Sequence, residues 1–295
     1  MTHSTGNACQ SAADLAEGLL TGDDAELDRR FVIMAYEPGA GLVERRAALR
    51  PVYAAIVARI GEPTLLGGAT HGPSVRWSGD ERMLLLSGNH REAALSVHPA
   101  LAFARDEFWS FDAGHLPYTW QLDRQGPGRD HGWTFNGHAA ADDWESAQER
   151  LEGMLASWAE HMPVQAPGDW VGCDLWASRD RGRSLIVAFR PSNIGREFGA
   201  SIDDRDHEQT PERAAHMRAR GWHRVDEHGW WRIGLPETDP ASAAELARVV
   251  IADLRARGTT CPDEVTAWDI SAGDDGDLWV PGIGFEVNPR RGEHY

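Results

Sequence analysis

Lysine is missing from this sequence, because all 29 of its basic residues are arginine. Its absence excludes the enzyme classes whose mechanisms require a lysine side chain. A P-loop NTPase holds the nucleotide phosphates with a lysine, a protein kinase uses a lysine on a strand beside ATP, and a pyridoxal-phosphate enzyme forms its Schiff base on one. The composition therefore excludes all three classes before any motif is considered.

Cysteine is scarce as well: the three residues, Cys9, Cys173 and Cys261, lie far apart and form no CxxC pair. An odd number of separated cysteines argues against a disulfide framework and against a zinc site built from cysteine. No apolar run approaches the roughly 20 residues of a membrane helix, and the polar start over residues 1–10 does not resemble a signal peptide. We therefore expect a soluble protein of the reducing cytoplasm.

The charge is strongly unbalanced, with 46 acidic against 29 basic residues and a formal net charge of -17. A field of this sign repels nucleic acid and anionic lipid unless a local basic patch reverses it, and the sequence has no strong patch. We therefore predict that the protein binds neither nucleic acid nor a membrane. The acidity suits a basic or mixed-charge protein partner, although it also serves solubility alone.

Motifs for metal binding are weak, although the sequence holds 13 histidines. His131 and His138 flank an aromatic stretch, and His223 and His228 flank a predicted hairpin turn. Neither pair has the HExxH spacing of a zinc site on a helix. We expect these histidines to be exposed in turns.

Two clusters of acids have the side-chain type of calcium ligands but not the spacing, because neither lies in a twelve-residue loop closed by glutamate. They are Asp203, Asp204, Asp206 and Glu208 in the first cluster, and Asp274, Asp275 and Asp277 in the second. We expect both clusters to be exposed acidic loops, and the sequence predicts no metal site.

Catalytic motifs are equally weak. Ser96, His98 and Asp106 are the residue types of a hydrolytic triad, but the sequence has no GxSxG elbow to present the serine. The pair Gly67-Gly68 and the triplet Gly282-Ile283-Gly284 both lack the third glycine of the dinucleotide fingerprint GxGxxG. The sequence therefore predicts no catalytic residue and no cofactor.

The chain of 295 residues is long enough for about two domains. A polar segment rich in glycine and proline, over residues 125–132, separates two different patterns of apolar residues. We therefore predict one domain over 1–125, a second over 130–272 and a tail over 273–295.

The first domain is predicted to be a helix followed by an antiparallel meander. Apolar residues at helical spacing predict the helix over 42–60, with Gly61 as its C-terminal cap. Short β-type runs separated by turn residues follow at 64–66, 74–78, 82–86 and 93–98. We expect an aromatic stretch from Phe108 to Trp120 to cover this sheet or close its edge.

The second domain is predicted to have the element order α-β-β-β-α-β-β-α. Its first helix begins at Asp142 or Asp143 and ends before Pro163, Thr210 caps the second helix, and the last helix closes at Gly258. Strands are predicted at 170–176, 184–190, 197–202, 222–225 and 230–233. The predicted fold class is α+β, in which each domain packs helices on an antiparallel sheet.

Several motifs of the second domain resemble a known superfamily. They are a GW turn at 221–222, a GWW hairpin at 229–231, an LP dipeptide at 235–236 and the helix LARVVIADLRARG over 246–258. With the element order, they resemble the type III secretion chaperone-like and YbjN-like superfamily, and are most similar to its actinobacterial TY-Chap type of domain. The resemblance covers about residues 130–270, and it implies a non-catalytic, often dimeric module that binds client polypeptides. Arginine in place of lysine, with abundant alanine, glycine and aspartate, is also typical of GC-rich actinobacterial genomes.

Tryptophan is in excess, with 13 residues in the chain. The period of two along a strand places Trp170 and Trp176 on one face, while aliphatic residues occupy the other. A tryptophan face that does not pack on helices is either exposed or covered by a second domain, a dimer mate or a bound peptide. We predict Trp170, Trp176, Trp230 and Trp231 as partner-binding residues, and packing between domains stays open as the alternative.

The sequence favours a non-catalytic protein-binding module, similar to a chaperone or an adaptor, that holds a protein or peptide client. An immunity or antitoxin-like protein that blocks one cognate toxin is the main alternative. An unrecognised hydrolase or metalloenzyme is the third. The first two differ in the partner: a chaperone binds many unfolded segments, whereas an immunity protein binds one folded enzyme.

Overall fold

A computed structural model describes residues 2–22, 24–113, 115–123, 141–177, 183–193, 195–205, 207–273 and 277–287. The chain divides into two compact units. Unit 1 comprises the described residues within Met1–Gly137, Ala156–Gly168 and Asp275–Trp279, and unit 2 comprises those within His138–Leu155, Asp169–Asp274 and Val280–Tyr295. Each unit contains helices and one sheet, so the fold is α+β, as the sequence predicts.

Unit 1 is built on a sheet with the strand order β1-β5-β4-β3-β2-β6-β13, in which every described pair is antiparallel. The strands are β1 (Arg30–Ala35), β2 (Leu66–Ala69), β3 (Gly72–Ser78), β4 (Arg82–Gly88), β5 (Glu92–Pro99), β6 (Trp120–Asp123) and β13 (Asp277–Trp279). The helices are α1 (Thr2–Thr21), α2 (Leu42–Ile60), α3 (Ala100–Asp112) and the second half of α4 (Trp144–Gln165). The meander β2 to β5 confirms the predicted one.

One face of this sheet is the main core of unit 1. Val75 and Trp77 of β3, Leu84 of β4 and Leu95 of β5 point to it and are buried. Helix α1 packs on α2 and on β4 and β5. The indole of Trp77 donates a hydrogen bond of 2.9 Å to the carbonyl of Gly61, which joins the end of α2 to the sheet.

The sequence pattern did not predict helix α1, because acidic residues interrupt its apolar run. Its buried residues, Ala12, Ala13, Ala16 and Leu19, follow helical spacing. Two carboxylates interrupt this apolar run, but they lie on the outer face of the helix and both pair with Arg59 of α2. The charges that break the linear pattern therefore support the packing of α1 on α2.

Unit 2 is built on a second sheet, whose described strands have the order β10-β11-β9-β8-β7-β12-β14. They are β7 (Val171–Ala177), β8 (Leu185–Ser192), β9 (Gly195–Asp203), β10 (His223–Arg224), β11 (Trp230–Pro236), β12 (Val265–Ala272) and β14 (Glu286–Val287). The helices are the first half of α4, α5 (Pro211–Ala219) and α6 (Ser242–Ala256). The order from α4 to α6 is α-β-β-β-α-β-β-α, which confirms the prediction.

Local signals placed the helices of unit 2 accurately, with one correction. The hydroxyl of Thr210 accepts a hydrogen bond from the backbone N–H of Arg213 and so caps α5. The carboxylate of Asp143 accepts one from the backbone N–H of Ser146 at the start of α4. Helix α4 continues through Pro163 to Gln165, whereas the sequence predicted an end before the proline. Because Pro163 lies in the last turn, the helix loses one hydrogen bond there and is not broken.

The boundaries of the two units also correct the predicted domains. Residues 156–168 belong to unit 1 and not to a second domain that begins at 130. The described part of the predicted tail is not a tail: β13 pairs with β6 in unit 1, and β14 pairs with β12 in unit 2. Long-range strand pairing of this kind leaves no local signal in the sequence. Among the described helices, none has the length and apolarity that crossing a membrane requires.

Candidate functional site

The predicted tryptophans lie on the sheet of unit 2, and three of the four keep exposed surface. Trp170 is exposed, while Trp176 of β7 and Trp230 of β11 are half-buried. Trp231 is fully buried, because the next residue of a strand points to the opposite face. The prediction that Trp231 contacts a partner is therefore corrected: it is a core residue.

The outward face of this sheet carries tryptophan together with charge. Strand register places Trp268 of β12 opposite Asp174, diagonally next to Trp176. Farther across the sheet, the carboxylate of Glu197 pairs with the guanidinium groups of Arg190 and Arg232. The side chains of these two arginines are 36% and 41% exposed, so this part of the face is in contact with solvent.

The most exposed apolar surface of the described residues lies in unit 1, on α3. Leu101, Phe108 and Trp109 are 62%, 37% and 59% exposed. Their spacing of seven and eight residues places them on one helix face, about 12 Å long at 1.5 Å per residue. The rings of Phe108 and Trp109 meet edge to face, with 5.7 Å between their centroids. We call these three residues the α3 stripe.

The opposite face of α3 is held firmly against the sheet. Glu107 forms a double ion pair with Arg76 of β3, in which one of the two contacts, from Nη1 to Oε2, is 2.8 Å. The guanidinium of Arg76 also lies 5.3 Å from the ring of Phe103 and 5.2 Å from the ring of Tyr118. Burial and the nearby Glu107 carboxylate raise the pKa of the Tyr118 hydroxyl. The α3 stripe is thus presented by a helix with a fixed position.

Sequence reasoning missed the α3 stripe, although it noted the aromatic segment. It expected Phe108 and Trp109 to cover the sheet, together with their aromatic neighbours. In the structure Phe111, Tyr118 and Trp120 are buried, whereas Phe108 and Trp109 face outward. The helical spacing from Leu101 to Trp109 was the available signal. Helical spacing shows that Leu101, Phe108 and Trp109 share one face of α3. The ion pair of Glu107 with the sheet shows that this face is the one turned to solvent, because Glu107 lies on the opposite face.

In the first acidic cluster, Asp204 is the centre of a set of ion pairs and not an exposed side chain, whereas Glu208 is exposed as predicted. Asp204 is fully buried and accepts hydrogen bonds from Arg183 at 2.5 Å and from Arg213 at 2.6 and 2.9 Å. Burial by itself raises the pKa of Asp204, but the bonds from Arg213 and Gln209 and the charge of Arg183 outweigh it and hold the pKa below its ordinary value. Two guanidinium groups on one carboxylate leave no room for calcium.

The other metal candidates also gain no support. Where the structure describes the chain, no three residues among histidine, cysteine, aspartate and glutamate converge as metal ligands. His223 and His228 are exposed on the hairpin, as expected. The remaining candidates, His131, His138, Asp206, Asp274 and Asp275, lie outside the described residues, as does the side chain of Asp277.

A buried polar cluster joins α4 to the sheet of unit 1. The side chain of Gln165 makes two hydrogen bonds of 2.8 Å with the backbone of Gly67. It accepts from the N–H and donates to the carbonyl, as the backbone of a neighbouring strand would do. The indole of Trp120 donates to the hydroxyl of Ser157 at 2.9 Å. A Cβ on Gly68 would lie 2.3 Å from the Ser157 hydroxyl oxygen and 2.9 Å from His161, so only glycine allows this close approach.

His161, which lies in this cluster, makes the stability of the folded protein dependent on pH. Burial lowers the pKa of His161 from 6.5 to about 4, and the charge of Arg45 adds to this effect while that of Glu160 opposes it. Between these two values the unfolded chain takes up a proton that the folded protein excludes, so stability falls as pH falls from 6.5 to 4. The loss over this window is about 3 kcal/mol, at about 1.4 kcal/mol per unit of pKa.

We expect His161→Gln to remove this part of the pH dependence, because glutamine takes up no proton. Urea unfolding of both proteins between pH 7 and pH 4.5 measures it, as the difference between the slopes of unfolding free energy against pH. The exposed His223→Gln is the matched control and should keep the wild-type slope. Equal slopes for all three proteins would show that His161 is not buried as a neutral group.

A chain of three polar side chains lies on the other side of the unit 1 sheet, at the end of β5. The Ser96 hydroxyl and Nε2 of His98 are 2.8 Å apart, and Nδ1 of His98 is 2.8 Å from a carboxylate oxygen of Asp28. Because a carboxylate only accepts, Nδ1 is the nitrogen that carries the proton in the neutral imidazole, and in that form Nε2 accepts from Ser96. The sequence had paired these two residues with Asp106, whose carboxylate instead lies near Arg105.

In comparisons with known proteins, no protein-family model, curated protein or solved structure matches the chain.

Proposed function

We propose that this chain is a polypeptide-binding protein, similar to a chaperone or an adaptor, and that the α3 stripe is its main contact surface. The observation that carries the proposal is the exposure of Leu101, Phe108 and Trp109 on one face of a helix whose other face is fixed. Exposed apolar patches on folded proteins mark interaction sites, and aromatic residues supply most of the binding energy in them.

The partner we propose is basic, with apolar side chains at helical spacing. A net charge of -17 draws a basic chain towards this protein and repels an acidic one. A helix that carries arginine or lysine on one side and leucine on the other would place its apolar side on the α3 stripe. The tryptophans of unit 2 form a second proposed contact surface, through Trp170, Trp176 and Trp230.

The proposal assigns unit 2 no catalytic role, in line with the resemblance of its motifs to secretion chaperones. We also place the protein in the reducing cytoplasm. The three cysteines are free thiols, and burial raises the pKa of Cys173, which keeps this thiol protonated and unreactive. A homodimer that uses the sheet of unit 2 remains part of the proposal.

A defined peptide tests the proposal directly. The probe is a fluorescent synthetic peptide of leucine and arginine at helical spacing, and two controls have the same leucines with glutamate, or the same composition in scrambled order. We expect the basic amphipathic peptide to bind most tightly. The double variant Phe108→Ala/Trp109→Ala should weaken binding by about 30-fold or more, since two aromatic anchors are lost. Anisotropy titration measures the dissociation constants.

Val225→Ala is the control, because it shortens an exposed apolar side chain of unit 2 that belongs to neither proposed surface and leaves the α3 stripe intact. It should change the affinity by less than about threefold if the α3 stripe is the main surface. Equal binding of the three peptides, or unchanged affinity in the double variant, would contradict the proposal. Binding of one folded enzyme and of no peptide would favour the immunity-like alternative.

A further inference from the structure

The contacts of Ser96, His98 and Asp28 have the connectivity of a nucleophilic serine site. The base nitrogen of the histidine meets the hydroxyl, and its other nitrogen meets a carboxylate, with 2.8 Å in each contact. Serine is a weak nucleophile unless a neighbouring base removes its proton, and this base needs a third group to hold its tautomer and orientation. We propose that Ser96 is a nucleophile for acyl transfer, with His98 as its general base and Asp28 as the positioning residue.

The backbone around Asp28 is strained in a way that serves this arrangement. Its φ of +61° is in the left-handed region, the only such value among the described residues other than glycine. Its N–H donates a hydrogen bond of 2.8 Å to the carbonyl of Val97, the residue between Ser96 and His98. The turn thus delivers the carboxylate to His98 from a position 70 residues earlier in the chain. Strained residues of this kind cluster at functional sites.

The start of α3 supplies donors for the negative charge that develops on an attacked carbonyl oxygen. Helix α3 begins at Ala100, two residues after His98, and the ring of Phe103 in its first turn lies 4.8 Å from the imidazole. Pro99 at the cap makes no side-chain hydrogen bond, and Ala100 donates to the carbonyl of Glu81. The next N–H groups of this turn have no acceptor within the helix, and the proposal assigns the stabilisation of the developing charge to them.

The burial of Ser96 limits the substrate. The residue is 6% exposed, so only a small acyl group can reach its hydroxyl. The net charge of -17 disfavours anionic substrates. We therefore assign small neutral carboxylic esters as the substrate class.

The proposed reaction has two steps. In the first, Ser96 Oγ forms a bond to the acyl carbon and its proton passes to Nε2 of His98; the bond from the acyl carbon to the alcohol oxygen then breaks, and His98 protonates the departing alcohol. In the second, water gives a proton to His98 and its oxygen bonds to the acyl carbon; the bond from this carbon to Ser96 Oγ breaks, and His98 returns the proton to Oγ as the acid leaves.

A small serine-reactive probe, methanesulfonyl fluoride, tests the nucleophile on the wild-type protein itself. Attack by Ser96 forms an oxygen–sulfur bond and releases fluoride, while the serine proton passes to His98. We expect one adduct per chain, and peptide mass spectrometry should locate it on Ser96. The half-buried Ser110, whose hydroxyl donates to a carbonyl of its own helix, is the internal control and should remain unlabelled. No adduct, or an adduct on another residue, would overturn the proposal.

Variants separate catalysis from a structural role. His98→Ala should lower the labelling rate by about 10²- to 10⁴-fold, the usual contribution of a general base, and added imidazole should restore part of the rate. Asp28→Asn keeps the size of the side chain and tolerates the left-handed backbone. Asp28→Asn should lower the labelling rate by about tenfold. Replacement of a buried carboxylate would lower the rate more, but the side chain of Asp28 is 70% exposed.

Melting curves accompany each variant. A structural role alone would lower the melting temperature without rescue by imidazole, and that result would overturn the assignment of His98. The proposal does not depend on the α3 stripe, because the contacts of Ser96, His98 and Asp28 that carry it involve no residue of the stripe.

Discussion

Replacing Trp231 by alanine should destabilise the protein by about 3–5 kcal/mol, whereas the same change at its neighbour Trp230 should cost only about 1 kcal/mol. The two residues lie on opposite faces of β11. Trp231 is fully buried opposite Ile202 of β9. Its removal therefore leaves a large cavity in the core. The half-buried Trp230 loses mainly its contact with Arg205, whose guanidinium lies 5.6 Å from the ring centre.

Urea unfolding followed by circular dichroism measures both changes in the free energy of unfolding. The two variants are matched controls for each other, because they remove the same side chain from adjacent positions of one strand. A larger loss for Trp230→Ala than for Trp231→Ala would show that β11 is shifted by one residue from the described register. In the shifted register Trp231 would lie at the surface, as the sequence had predicted.

Asp253→Ala should destabilise unit 2 by about 3–5 kcal/mol, because it leaves a buried guanidinium without its counter-charge. Asp253 of α6 is buried and pairs with Arg220 and Arg257. The contact from Arg257 Nε to the carboxylate is 2.6 Å, and the side chain of Arg257 is only 2% exposed. An arginine retains its charge when it loses its partner, so the cost of burial is no longer offset.

An exposed ion pair on the same helix provides the control. Glu245 and Arg248 lie three residues apart, with 2.6 Å between their charged atoms, and both are well exposed. Glu245→Ala should cost no more than about 0.5 kcal/mol, since water screens the pair. Urea unfolding compares the two variants. A similar small loss for Asp253→Ala would mean that Arg257 reaches solvent in the folded protein.

Local patterns predicted a large part of the fold because local chemistry determines those elements. Gly61 ends α2 with a positive φ, and Thr210 caps α5 through its own hydroxyl, so each boundary depends on a few neighbouring residues. The alternation along β7 is also local, since Val171, Cys173 and Leu175 are buried on one face. The missed elements depended on distant partners. Helix α1 is stabilised by α2, and β13 pairs with β6 from far along the chain, with Asp277 opposite Asp123.

The candidate sites were less predictable than the fold. Ser96 and His98 were visible as a pair two residues apart on one strand face, but the sequence offered no means of choosing their carboxylate among the 46 acidic residues. Asp28 approaches His98 only because β1 and β5 pair. The prediction for Asp204 failed for a similar reason. Acidic clusters are usually exposed, and the arginines that allow this carboxylate to be buried come from two other segments.

By itself, the sequence determined the α+β class, the element order of unit 2 and the exclusion of lysine-dependent chemistry, because composition and short-range periodicity carry this information. Only the tertiary structure decided which tryptophans are core, which face of α3 meets solvent and which carboxylate holds His98. These are questions of burial and of contact between distant segments. Their answers depend on the side chains that pack against each residue from elsewhere in the chain.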